Sequence, residues 1–149
     1  LDPDAALGSA SSLVGLGPGG TPSGDDLLAG WLVGIRAAAA GISARLAFVD
    51  AFAERLRMLH HRTNLVSRTY LEQAGRGLVS SVVSALLLAL SRGTDEAALE
   101  EAILPLLRTG HTSGRDTAAG LLIGLSVWQI DYEALAVLLA PAFTVPYSE

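Results

Sequence analysis

Apolar positions along the chain recur at three- and four-residue intervals, and no segment alternates with period two for long. The clearest stretch places Ile42, Leu46, Val49, Ala53 and Leu56 on one helical face, with Arg45, Asp50, Glu54 and Arg57 off it. Extended along the chain, the same spacing predicts seven helices, over 24–40, 42–60, 64–75, 78–91, 95–108, 114–129 and 132–139. Thr63, Thr94 and Asp131 are candidate N-caps, with Asp95 and Glu96 in a first turn. Gly93 and Gly110 are candidate C-caps, Pro105 kinks or shortens the fifth helix, and Pro141 stops the last. Short connections favour antiparallel packing of neighbours. The expected fold is all-α, a single compact bundle over 13–149 behind an irregular lead-in at 1–12.

One motif occurs twice. Displaced by 90 residues, SGDDLLAGWLVGI (23–35) overlies SGRDTAAGLLIGL (113–125) with seven of thirteen positions identical, and Gly20 falls on Gly110 just upstream. The simplest account is a capping box, in which Ser23 or Ser113 caps the helix and Asp26 or Asp116 reaches back. Three features exceed what a cap requires. Gly24 and Gly114 stand in a first helical turn, where glycine costs about 0.5–1 kcal/mol relative to alanine. The Gly-Pro run ahead of Ser23 is longer than a turn needs. Asp26, Gly30 and Gly34 share one helix face, as do Asp116, Gly120 and Gly124.

Glycines four apart let two helix backbones approach closely. A parallel crossing through these glycines brings Asp26 and Asp116 together at one end; an antiparallel crossing separates them. Sequence leaves both open. Facing carboxylates beside two positive helix ends would call for a cation, a proton or a polar ligand. Asp25 aligns with Arg115 and points elsewhere on its helix, so Asp26 carries more weight.

Other signals are weaker. Gly15-x-Gly17-x-x-Gly20 matches a dinucleotide fingerprint by letter, but it has no preceding strand and contains Pro18. No Walker-type Gly-Lys-Ser/Thr is present. His60 and His61 suit the C-terminal end of a helix dipole, whereas His111, directly ahead of the second motif, is a candidate proton carrier or loop-ordering residue. Thr63, Ser67 and Tyr70 form a polar stripe for which surface exposure is the simpler account. Trp31 and Trp128 are expected in the core.

Composition narrows the setting. Half of the 149 residues are hydrophobic and 17% are charged, which anticipates a surface partly covered by another subunit in a homo- or hetero-oligomer. The formal charge of −5 argues against nucleic acid as a partner. The apolar stretches are too short or interrupted by charge for membrane insertion. The absence of cysteine excludes disulfides and thiolate metal sites and suits a cytoplasmic protein.

Taken together, GLGPGGTPSGDDLLAG, TNLVSRTYLEQAGRG and GHTSGRDTAAGLL resemble the AllH-like family, formerly a domain of unknown function. The resemblance spans residues 13–125 and carries over to Gly17, Pro18, Gly19, Thr21, Pro22, Ser23, Gly24, Asp25 and Asp26 in the first loop. It also covers Thr63 and Ser67, then His111, Ser113, Gly114 and Asp116. Gly20 and Arg115 depart from the family pattern, and the region that members usually carry ahead of the first loop is missing here.

The resemblance implies a subunit associated with oxamate carbamoyltransferase, in purine-nitrogen catabolism, where several subunits share carbamoyl transfer between oxamate and carbamoyl phosphate. On that reading Asp26 and Asp116 orient a substrate amide or Mg²⁺, the one cofactor entertained, and His111 moves a proton. Gly17, Gly19, Thr21, Ser23, Gly24, Asp25, Ser113, Gly114, Thr63 and Ser67 surround a small anionic or amide metabolite. The alternative is a non-catalytic structural or regulatory subunit whose Ser-Gly-x-Asp motifs only cap helices.

Overall fold

A computed structural model describes residues 2–39 and 41–129, which form seven α-helices and no strand. They are α1 (Pro3–Ala10), α2 (Ser23–Ala38), α3 (Ser43–Arg57), α4 (Leu65–Gly75), α5 (Ser81–Arg92), α6 (Glu96–Leu107) and α7 (Ser113–Ser126), with a 3-10 turn at His60–Arg62. The all-α expectation holds. The helix expected over 132–139, with Asp131 and Pro141, lies outside the described residues.

The lead-in is not irregular. Asp2 accepts the Asp4 amide at 2.9 Å, Pro3 opens the first turn, and Arg55 of α3 holds Asp4 at 2.5 Å. The Asp-Pro pair is an N-cap followed by a preorganised first residue, a signal that the short apolar run hid.

The caps also fall one residue away from two expectations. Asn64 caps α4 by accepting the Ser67 amide at 3.0 Å, because the Thr63 hydroxyl is committed elsewhere. Asp95 rather than Thr94 caps α6, accepting from the Ala98 amide at 2.9 Å. Gly93 ends α5 in the left-handed conformation, as expected, and α6 continues through Pro105 to Leu107.

The centre of the molecule is the pair α2 and α7. A Cβ on Gly30 would sit 2.0 Å from the Thr117 carbonyl oxygen, and one on Gly120 would sit 2.0 Å from that of Leu27. Gly34 stands in the same way against Leu121 and Gly124, and Gly124 against Trp31 and Gly34. Contacts therefore advance together along both helices. The crossing is parallel and nearly two-fold, with backbone resting on backbone where the glycines remove side chains. This settles the orientation left open by the sequence.

The remaining elements wrap the pair. Leu28, Leu32, Phe52, Leu56, Leu71, Leu86, Leu106 and Leu121 belong to one buried core shared by α2 to α7. A smaller cluster of Ile35, Ala39, Phe48 and Val49 lies towards the far end. There Trp31 packs edge-on to Phe52 at 4.9 Å between ring centres, and the Trp128 indole N–H donates to the Ile35 carbonyl at 3.4 Å. Both tryptophans thus sit against core clusters, half-buried.

Candidate functional site

The parallel crossing fixes the site, because it places the starts of α2 and α7 side by side. The expected capping boxes do not form there. Pro22 and Thr112 occupy the N-cap positions, neither makes a side-chain cap bond, and Ser23 and Ser113 are the first helical residues. Backbone takes over the satisfying of amides. Gly24 N–H donates to the Leu16 carbonyl at 2.9 Å, and Gly114 N–H donates to that of Thr109 at 3.0 Å. The next two amides of each helix turn back onto Pro22 or Thr112. Glycine is needed at 24 and 114 because the Leu13 and Leu106 carbonyl oxygens lie 2.0 and 1.8 Å from where a Cβ would be. What approaches these glycines is the chain itself.

The two approaches to the helices are alike but unequal. Leu13, Leu16 and Gly17 relate to α2 as Leu106, Thr109 and Gly110 relate to α7. Gly17 and Gly110 both have positive φ and lie against the first serine of their helix. The structural partner of Gly110 is thus Gly17, not Gly20 as the ungapped alignment had it. The first loop is longer by three residues, Pro18–Gly20. Within it the Gly20 carbonyl accepts Asn64 Nδ2 at 3.0 Å, and Thr21 reaches across to Ser113, the two hydroxyls lying 2.7 Å apart.

Asp25 and Asp26 have separate surroundings. Asp25 is 2% exposed, accepts the Gly15 amide at 2.8 Å and accepts the Thr63 hydroxyl. It ties the first loop and the start of α4 to α2. Asp26 is 7% exposed and lies in the wall of a cavity of about 460 Å³. Burial pushes its carboxyl above the ordinary 3.8; the Ser113 and Thr21 hydroxyls bond to it and hold it down, and the charges of Asp116 and Asp25 push it up again. One oxygen of Asp26 and one of Asp116 are buried without a hydrogen-bond partner.

The cavity gathers elements distant in sequence. Thr21, Asp26, Ala29 and Val33 come from the first loop and α2; Thr109, Gly110, Ser113, Gly114 and Thr117 come from the second loop and α7. Tyr70, Gln73 and Ala74 of α4, Leu78, Val79 and Ser80 of the α4–α5 connection, and Val82, Val83 and Leu106 complete it. Tyr70 was read only as part of a stripe, and Gln73, Ser80, Thr109 and Thr117 were missed. Thr117 lies within the second copy of the repeated motif, and Tyr70 and Gln73 within TNLVSRTYLEQAGRG, but only tertiary folding brings them to one wall with Ser80 and Thr109.

Several expected site residues stand back from this wall. Thr63 is spent on Asp25 and Ser67 is buried at 2% exposure with its hydroxyl unpartnered, so of the stripe only Tyr70 is exposed. Gly17, Gly19, Ser23 and Gly24 lie outside the lining, as do Asp116 and the exposed His111. His60 is buried with Nδ1 3.3 Å from Glu72, and the exposed His61 lies 2.9 Å from the Met58 carbonyl. No group of three or more acidic, histidine or cysteine side chains is placed to hold a metal among the described residues.

The fold and site define an all-helical protein built on a parallel, glycine-mediated helix pair whose acid-bearing starts meet beside one cavity. The model of the family described as oxamate carbamoyltransferase subunit AllH matches residues 13–125, from the first loop to the last turn of α7, and the chain belongs to that family. No solved structure matches the chain. The family's description as a subunit implies protein partners, and no described helix is long and apolar enough to cross a membrane.

Proposed function

We propose that this chain is the subunit of a cytoplasmic carbamoyltransferase complex that holds a small carbamoyl-transfer metabolite, oxamate or carbamoyl phosphate, in the cavity beside the α2 and α7 starts. The observation that carries the reading is Asp26. A carboxylate nine-tenths buried, beside a second carboxylate and with an unpartnered oxygen, is costly to the fold unless a ligand uses it. Asp26 would accept a substrate N–H, with the Thr21 and Ser113 hydroxyls setting its orientation. Asp116 would support it electrostatically, and His111 at the outer edge of the second loop remains the candidate proton carrier. Mg²⁺, where used, would be held by Asp26 and Asp116 and would neutralise charge on a phosphate. Thr63 and Asp25 serve the site by fixing the first loop.

The exposed apolar side chains Val66, Tyr70, Leu78 and Val79 include three from the cavity wall, and a second subunit, alike or different, would cover them. Calorimetric titration of oxamate and carbamoyl phosphate into wild type and Asp26→Ala tests the reading. Binding to the wild type that disappears in the variant is the expected result; equal binding by both ends it.

A second reading, a non-catalytic structural or regulatory subunit, is favoured by the saturated amides at Gly24 and Gly114 and by the internal bonding of Asp25. The two readings differ in sign. If Asp26 is structural, replacing it lowers the melting temperature; if it is held for a ligand, removing its charge raises it.

A further inference from the structure

Resting on the cavity reading above, we infer that this site takes an acyl compound with an apolar body: a carbonyl or carboxylate oxygen lies at the polar end of the cavity, and a chain or ring of several carbons fills the rest. Size carries this first. The cavity holds about 460 Å³. Allowing each non-hydrogen atom the roughly 30 Å³ of a liquid water, a generous share, oxamate takes up about 180 Å³ and carbamoyl phosphate about 240 Å³. Carbamoyl phosphate therefore leaves close to half of the space unused, and oxamate leaves more.

The chemistry of the wall agrees. Val33, Leu78, Val79, Val82, Val83 and Leu106 line the cavity, Gln73 and Ser80 interrupt this apolar surface, and Asp26 is the one charged residue in the lining. Hydrogen-bond donors gather instead where the starts of α2 and α7 meet. There the Thr21, Gly110 and Ser113 amides donate to no backbone or side-chain acceptor among the described residues. An acyl oxygen accepts from such amides whether it belongs to a carboxylate or to a neutral carboxamide. Tyr70, Leu78 and Val79, 51, 59 and 36% exposed, mark the mouth and carry the apolar surface outward. A mostly apolar pocket of this size with a few placed polar groups matches an organic ligand with a polar head and an apolar body.

Two series of straight-chain acyl compounds provide the test, the carboxylates from acetate to octanoate and the primary amides from acetamide to hexanamide. Both are titrated calorimetrically into wild type, Leu78→Asp and Leu88→Asp, and oxamate is titrated alongside into wild type and Asp26→Ala. In at least one series the affinity of the wild type is expected to rise about fourfold with each added methylene, the equivalent of roughly 0.8 kcal/mol, until the cavity is full. The series that rises tells whether the head is charged or neutral. Leu78→Asp, at the mouth, is expected to lose most of that gain, and Leu88→Asp, 49% exposed but outside the lining, is expected to keep it. Affinity that stays level with chain length in both series overturns the inference, and so does an equal loss in the two variants. If affinity stays level while oxamate binds wild type and not Asp26→Ala, the small-metabolite reading stands and the apolar body alone falls. If a series rises and oxamate does not bind, the inference stands and oxamate is not the ligand. If nothing binds the wild type, both fall.

Discussion

Neighbouring aspartates make opposite contributions. Asp25 is an internal fastener. Asp25→Ala removes the acceptor for the Gly15 amide and the Thr63 hydroxyl, and urea denaturation should register a loss of about 2–4 kcal/mol. Asp26 is a liability in the free protein. Its folded-state carboxyl titrates above 3.8, first because it is buried and also because Asp116 and Asp25 are near. The folded chain therefore binds that proton more readily than the unfolded chain, so the carboxyl favours folding at acid pH and loses that advantage as pH rises through its folded value. Asp26→Asn should accordingly melt at a higher temperature than wild type at pH 7, with the difference shrinking as pH falls towards 4. The sequence pointed to Asp26 and Asp116 through their repeated spacing, but it misassigned the local chemistry. Ser-x-x-Asp looks like a capping box, and nothing in the letters reveals that Leu16 and Thr109 carbonyls would satisfy the glycine amides instead.

At the level of helices, glycine has two distinct consequences here. Gly120 and Gly34 lie where a Cβ would meet backbone atoms 2.0 and 2.3 Å away, and neither helix can yield without separating from the other. Gly120→Ala and Gly34→Ala should each cost about 3 kcal/mol or more by denaturant unfolding. Gly8, inside α1, has open space around it, and Gly8→Ala should add about 0.5–1 kcal/mol. Opposite signs from one substitution type would confirm that close approach, rather than helix propensity, dictates the central glycines. Six of the expected helices could be read from periodicity, since three- and four-residue spacing survives in an amphipathic sequence. Glycines every fourth residue announced the crossing. Its direction was not legible, because a glycine stripe is equally smooth from either end.

For the molecule as a whole, a single buried imidazole couples stability to pH. His60 is 6% exposed and opens the 3-10 turn, its ring against Glu72 of α4; burial pushes it below 6.5, Glu72 opposes this, and Arg68 and Arg57 reinforce it. The unfolded chain therefore takes up the proton first. Stability present above about pH 6.5 should be lost as pH falls towards the folded value. Unfolding free energies measured between pH 8 and 5 should show this decline, and His60→Gln should flatten it. The cavity itself was the least legible feature. Eight of its eighteen wall residues come from α4, the α4–α5 connection and α5, joined to the repeated motif only by tertiary contact.

The unequal loops turn this near-symmetry into a preference. Two identical turns facing each other would offer a visitor two interchangeable poses. Pro18–Gly20 breaks the tie: it lets Thr21 bridge to Ser113, while His111, the residue at the equivalent place ahead of α7, stays in solvent. Because the two acids are spaced by main chain lying on main chain, no side chain between them can be trimmed to widen or narrow the gap. Adapting such a protein to a different guest would fall to the loop lengths and the rim, with the glycine crossing left as an invariant gauge.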